Sequence, residues 1–545
     1  MKKACFFFLA LLCQYSIDAL GNPHSPKESD MTSFTMAPKM GDYDTDSSSG
    51  APVIVYLELS SFPLIQDTLV LESMPYFLSR NTHNFKQKSY TQIGTPKSFF
   101  YGVSPTMDQV FQFETEPYFR PGYISLKNSA GYILKDFVVL PGDSIMVRVD
   151  KTKTLVSFAG PSAKSFQCQY EMASAKESNS FSKPTRFITK SKEDFLELDD
   201  YRSHYLAARS SFGGYLDIIE EGEEQVSRFI EDVQMHWTDD PQWERLKQYK
   251  GSLNEDLFEI LKGEIIGSFY TKLIKTFNRD LYAKFYPDKE SQAYQSLMAA
   301  YSDHISALSL NEISDKAGAI SINYLEFLGE WIYAKAIVER LSMTAAVNAV
   351  FEGELKEKLL SQYLANHFNF IANKERYMEK ANPEINSVPW RFVFDQYYLK
   401  QQAGALVENF AFLDKSGRHW SKEDFADKYV IFYFWFYGCG ASANFYEYQI
   451  SRLQDLLGDA PEVRIVSVSV DRTMELWDLG LASGKYTDKS LLNLHIPQSE
   501  VSWLENYNIK SFPHLLIMDK RGQYIGWEPD EKNADGLWKK LENLR

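Results

Sequence analysis

Cysteine is scarce in this chain. Only Cys5, Cys13, Cys168 and Cys439 occur among 545 residues, too few and too scattered for a disulfide-stapled scaffold or a four-ligand zinc site. An excess of positive charge is also lacking: 58 Lys and Arg stand against 73 Asp and Glu, a net charge of −15. That balance argues against a nucleic-acid partner and against charge-driven adhesion to an anionic membrane. Past the first residues no charge-free apolar stretch reaches the ~20 residues that cross a bilayer, so no transmembrane segment is expected. The nine histidines form no i, i+4 pair and no His-Glu-x-x-His, which leaves no sequence basis for a catalytic metal or any other cofactor. A Gly-x-Ser-x-Gly nucleophile elbow is missing, and with it the case for a serine hydrolase. Apolar material is plentiful: 44% of residues are hydrophobic and 15% aromatic, enough for a core in each of the domains that roughly 150 residues per domain suggests.

The first residues read as an export address. Lys2 and Lys3 precede an apolar run from Ala4 to Cys13, and Ala19 and Gly21 have the small-residue spacing that signal peptidase reads, so 1–21 is expected to be a signal peptide. The expected location is the periplasm or cell envelope. Lipid attachment at Cys13 is the weaker alternative, because Leu12 precedes it where Gly, Ala or Ser is wanted. Residues 22–50, with Asp42, Asp44, Thr45, Asp46 and Ser47 to Ser49, hold too little apolar surface to offset ordering entropy and read as a disordered tether.

Three textures follow, and together they predict a multidomain chain. Residues 51–162 alternate with period two, as from Val53 to Leu59, and turn at Pro121-Gly122 and Pro141-Gly142, which predicts a β-sandwich. Residues 163–402 predict an all-α region, clearest where Leu257, Leu261, Ile265, Phe269, Leu273, Phe277 and Leu281 recur at every fourth position, with a further helix over 321–345. Residues 403–545 read as α/β with a mixed sheet. A strand is expected at 406–413, a short helix over 421–428 opened by Ser421 with Asp424, and a central strand in the apolar run from Tyr429 to Phe436. A helix of about seventeen residues, strands at 463–470, 515–519 and 524–527, and a closing helix at 533–544 complete the order.

Cys439 stands directly after the central apolar run, in Phe434-Trp435-Phe436-Tyr437-Gly438-Cys439-Gly440-Ala441-Ser442, where the next helix is expected to begin. Unpaired N–H groups and the partial positive charge of a helix N-terminus favour a thiolate, which is the nucleophilic form. A second element, Ser511-Phe512-Pro513-His514, precedes the strand at 515–519. A proline just before a strand often takes a cis bond that lays backbone beside an active site.

With FWFYGCGAS at 434–442, VRIVSVSVD at 463–471 followed by Trp477, and YNIKSFPHLLIMDKRGQYIG at 507–526, residues 403–545 resemble the thioredoxin-fold domains of the TlpA/ResA type. These are exported bacterial thiol-disulfide oxidoreductases with a Cys-x-x-Cys motif after the first central strand and a cis-proline loop opposite. The resemblance implies Cys439 as nucleophile, with Gly438, Gly440, Ala441, Phe512, Pro513 and His514 around the substrate groove. It also exposes departures. Ser442 stands where the family has its second cysteine, Gly438 replaces a tryptophan and Ala441 a proline. Ser442 cannot resolve a mixed disulfide, although its hydroxyl could hydrogen-bond a Cys439 thiolate. An imidazolium at His514 would favour the same thiolate; the alternative is a loop histidine without a role. Phe436 breaks the peroxiredoxin pattern, which wants Thr or Ser there. The amino-terminal β pattern, with Pro141-Gly142-Asp143 and Gly160 before the helices, resembles the accessory domain that precedes many exported TlpA-like domains, which implies binding or positioning.

Three readings of Cys439 stand at this point. It is a monothiol that exchanges with protein or small-molecule thiols and disulfides of the envelope, or a vestigial cysteine on a non-catalytic interaction protein, or a nucleophile resolved by Cys168. Against the last stands Cys168 as a buried structural residue.

Overall fold

A computed structural model describes residues 50–544 except 61–65, 81, 83, 100–107, 151–154, 198, 213–216, 369–370, 372, 459, 508, 510 and 528–530. The signal peptide expected at 1–21 and the tether expected at 22–50, its last residue apart, lie outside the described residues. Two compact units are formed, one chiefly from Asp44–Phe77 and Asn84–Leu359, the other chiefly from Leu78–His83 and Leu360–Arg545.

In the first unit, period-two alternation puts Val53, Val55, Leu57 and Leu59 on one face, each fully buried. The strands are β1 (Ile54–Ser60), β2 (Thr68–Met74), β3 (Lys88–Ile93), β4 (Thr95–Pro96), β5 (Asp108–Glu114), β6 (Gly122–Asn128), β7 (Gly131–Val139), β8 (Ser144–Asp150) and β9 (Leu155–Ala159). They form two sheets, ordered β4-β5-β1-β8-β9 and β3-β2-β6-β7. Both sheets feed one apolar core, with Leu57, Phe111 and Val147 from the first meeting Leu71, Leu126 and Leu134 from the second. The Pro141-Gly142-Asp143 turn does more than reverse the chain. Asp143 accepts from the Leu140 N–H at 2.7 Å and from the Ser162 hydroxyl at 2.7 Å, and Ser162 begins the helix Ala163–Ser182.

The same unit carries a helical region. The helix Glu255–Lys275 packs on Ile322–Glu339 at Gly267, where a Cβ would lie 2.0 Å from the backbone of Asn323. The every-fourth-residue stripe is only partly buried, for a geometric reason. Four steps of an α-helix turn about 400°, so such a stripe drifts roughly 40° per repeat. By Phe269 and Leu273 it is half-exposed, and Ile266, Tyr270 and Ile274 have taken the core positions. A π-turn at Thr276–Tyr282 rewinds the drift and returns Phe277 and Leu281 to the core. The helix expected over 321–345 stops at Glu339, where Arg340 takes φ +57°, and resumes at Met343–Asn348. Besides its helices the region holds a parallel pair, β10 (Arg186–Thr189) with β11 (Asp217–Glu220).

The second unit contains β12 (Phe412–Leu413), β13 (His419–Trp420), β14 (Tyr429–Trp435), β15 (Val463–Ser469), β16 (Leu492–His495) and β17 (His514–Met518), in the order β13-β12-β16-β15-β14-β17. β14 runs parallel to β15 and antiparallel to β17, and all seven of its residues are buried. Its alternate side chains feed two cores, Val430, Phe432 and Phe434 on one side and Ile431, Tyr433 and Trp435 on the other. The helix after Cys439 runs through Gly440–Phe445, a π-turn at Tyr446–Ile450 and Ser451–Leu457. Three expectations shrink. Ser421 donates its N–H to Asp424 at 2.8 Å, but only a 3-10 turn, Lys422–Phe425, follows. The strand expected at 524–527 is reduced to one bridge, Met518 with Tyr524, and the strand expected at 406–413 to Phe412–Leu413 and a bridge of Leu406 with Gln523.

Candidate functional site

The buried strand β14 ends one residue earlier than its apolar run. Phe436 emerges 37% exposed and Tyr437 39% exposed, and Gly438 turns the chain with φ +89°, a left-handed value that a side chain would strain. Cys439 then caps the helix that begins at Gly440, in the role usually filled by Ser, Thr or Asp. Its Sγ accepts the Ser442 N–H at 3.4 Å and lies 3.8 Å from the Phe512 carbonyl oxygen. The thiol is half-buried.

Across from it the Phe512-Pro513 peptide bond is cis, and the Phe512 ring meets Phe436 edge-on at 5.6 Å. Cys439, Phe512 and Pro513, far apart in sequence, are thus brought together at one mouth, with Gly438, Gly440 and Ala441 exposed beside the thiol. Phe436, Tyr437, Gly438, Gly440 and Ala441 bring no ionisable carboxylate, amine or imidazole to the thiol, and the side chains beside it are aromatic or small.

Ser442 contributes differently from the expectation. Its backbone N–H, not its hydroxyl, reaches Sγ; the hydroxyl is fully buried without a hydrogen-bond partner among the described residues, and the Ser442 carbonyl accepts from Tyr433 Oη at 2.8 Å. His514 corrects the imidazolium expectation. It is no loop residue but the first residue of β17, paired with Phe434 and buried. Burial, with Lys532 and Lys374 nearby, pushes its imidazole down to about 3, so the ring is neutral at neutral pH and supplies no cation to the thiol. Lys532 itself donates to the Pro513 carbonyl at 3.5 Å.

Cys168 is fully buried in the helix Ala163–Ser182, with its Sγ 3.8 Å from Met172 Sδ. Burial, with Glu171 beside it, pushes its thiol up to about 12, which suits a structural residue and disfavours a thiolate. Among the described residues no group of three His, Cys, Asp or Glu side chains is arranged to hold a metal, and no helix is long and apolar enough to cross a membrane.

No residue-type pattern marks the groups that brace the loop. Asp471 accepts the Tyr437 N–H, and the Tyr486 hydroxyl accepts the Gly438 N–H. Both act on main-chain amides 34 and 48 residues away, so no side-chain spacing could have flagged them.

Residues 427–524 match the family described as thioredoxin-like. Similar solved structures include the thioredoxin domain of a thiol-disulfide oxidoreductase from Bacteroides vulgatus, 26% identical over 26% of this chain and 96% of that one, with a TM-score of 0.23. A thiol:disulfide interchange protein from Bacteroides sp. is 25% identical over 27% of this chain and 91% of its own, with a TM-score of 0.23. A thioredoxin-like protein from Bacteroides caccae is 14% identical over 51% of this chain and 93% of its own, with a TM-score of 0.26. No curated protein matches the chain. The carboxy-terminal region therefore carries a thioredoxin-like domain.

Proposed function

We propose that this chain is an exported thiol-disulfide exchange protein of the TlpA/ResA type that works through a single thiol, Cys439. The observation that carries the reading is the half-buried Sγ at a helix start, 3.8 Å from the Phe512 carbonyl beside the cis-proline loop. The Cys439 thiolate attacks one sulfur of a disulfide R–S–S–R′. The Sγ–S bond forms as the S–S bond breaks, and R′–S⁻ leaves and takes a proton from solvent. With Ser442 in the second position no internal thiol completes the cycle. An external thiol attacks the mixed disulfide, leaves as the new disulfide R–S–S–R″ and restores Cys439, so the protein ends in its starting oxidation state. No cofactor enters.

In this reading 51–162 is a β-sandwich accessory module that binds or positions, 163–402 a helical module, 403–545 the exchange domain, and the setting is the periplasm or cell envelope. Gly438, Gly440, Ala441, Phe512 and Pro513 shape the groove for the incoming disulfide. Ser442 in place of a resolving cysteine favours a rival, a non-catalytic envelope protein that uses the fold for binding. Trapping separates the two. Envelope proteins are expected to accumulate as mixed disulfides on the wild-type chain under an oxidising quench and to be lost with Cys439→Ser; equal capture by both chains supports the rival.

A further inference from the structure

We infer that Asp471 and Tyr486 are positioning residues that clamp the two backbone amides preceding Cys439, a deepening that rests on the exchange role proposed for that thiol. The loop from Phe436 to Gly438 cannot brace itself. Two of its side chains are exposed aromatics, and the third residue is a glycine with φ +89°, the residue that loses most conformational freedom on ordering. Exposed loops ordinarily leave such amides to water. Here each is taken by a side chain from elsewhere in the fold. The Tyr437 N–H spans both Asp471 carboxylate oxygens at 3.0 and 3.2 Å, and the Gly438 N–H donates to Tyr486 Oη at 2.9 Å.

The acceptors are themselves fixed. Asp471 is 6% exposed, its carboxylate accepts from the Ser469 hydroxyl at 2.7 Å, and its carbonyl lies 2.7 Å from His495 Nε2 at the end of β16. Tyr486 is 5% exposed and stacks on Trp435 of β14 with centroids 5.1 Å apart and planes 4° from parallel, while Trp435 Nε1 donates to Ser467 of β15 at 2.7 Å. Three adjacent strands thus hold one short loop. Burying a carboxylate to serve one loop amide costs desolvation that a loop without a task avoids by leaving the amide to water. What the clamp secures is the next residue. The Cys439 N–H closes a turn onto the Phe436 carbonyl at 3.3 Å, and Sγ is left between the Ser442 N–H and the Phe512 carbonyl.

The test uses the full chain carrying Tyr486→Phe, Asp471→Ala or Asp471→Asn, with Cys439→Ser to subtract other thiols. Hydrogen-exchange mass spectrometry reads the peptide holding the Tyr437 and Gly438 amides. The rate of mixed-disulfide formation with 5,5′-dithiobis(2-nitrobenzoate), followed against pH, reads the thiol. Tyr486→Phe and Asp471→Ala are each expected to speed exchange of those amides about tenfold, the scale of one lost hydrogen bond, to slow the thiol reaction severalfold and to displace its pH profile. Asp471→Asn keeps an acceptor and is expected to restore most of the rate. Unchanged amide exchange, or faster amide exchange with an unchanged rate and profile, overturns the clamp. A wild-type Cys439 that reacts no faster than the thiol of the unfolded chain defeats the exchange role instead, and the amide arm still decides whether Asp471 and Tyr486 hold the loop.

Discussion

At Gly438 the backbone adopts φ +89° with open space where a Cβ would sit, so a substitution there meets no clash and suffers only the conformational penalty. Gly438→Ala is expected to cost about 1–2 kcal/mol in a denaturant titration and to slow Cys439, because the strained residue tilts the amide away from Tyr486. His514 gives a pH prediction. Its ordinary value is 6.5 and its folded value about 3. Above pH 6.5 the ring is neutral folded or unfolded; below it the unfolded chain takes up a proton that the fold refuses, so stability falls as pH drops from 6.5 toward 3. His514→Leu removes that limb. Its unfolding free energy from urea titrations is expected to fall less between pH 7 and 4 than the wild type's, by an amount on the order of 3 kcal/mol at pH 4. The place of Cys439 at a helix start and the Phe512-Pro513 bend were legible as residue types in recognisable places. The neutral state of His514 was not, since it follows from burial in β17, which local composition does not report.

Among the elements, β14 was the most legible, because an unbroken apolar run of that length suits a strand buried on both faces and little else. Its last residue was misassigned. Phe436 is as apolar as its neighbours, yet it leaves the sheet to meet Phe512, a contact with a residue far along the chain. The long helix shows the converse failure. A perfect four-residue repeat looked like one inward face, but a 3.6-residue helix cannot keep such a face inward without the π-turn at Thr276–Tyr282. Where this helix crosses Ile322–Glu339, Gly267→Ala is expected to destabilise the first unit by roughly 1–3 kcal/mol or more, since the added methyl meets backbone and the helices must part. Calorimetry of the full chain should show that loss in a transition distinct from the one that Gly438→Ala shifts.

Across the whole molecule the two described thiols are in opposite situations. Cys168 is sealed in the first unit with its thiol held protonated, and Cys439 is half-buried at a helix start in the second. The order of strands and helices after residue 403 was readable because each element has strong local texture. The tasks of the amino-terminal sheets and of the helical region were not, because alternation and helical stripes report burial and nothing about a ligand. On the exchange role proposed for Cys439, a second thiol at position 442 should turn the site into a dithiol one. Ser442→Cys replaces a hydroxyl that has no hydrogen-bond partner among the described residues, and the variant is expected to reduce an insulin-type disulfide catalytically with dithiothreitol as the reductant. A variant that folds and stays inert would mean the groove does not admit such disulfides.

If Cys439 exchanges as proposed, folding makes it a better nucleophile toward disulfides than the same thiol in a loose chain. The most direct measurement is the rate at which Cys439 forms a mixed disulfide with a small disulfide at neutral pH in the native full chain, compared with the same chain in concentrated urea, using mass spectrometry to assign the modified residue. The native rate is expected to exceed the unfolded one by at least about tenfold. A native rate equal to or below the unfolded one would contradict it.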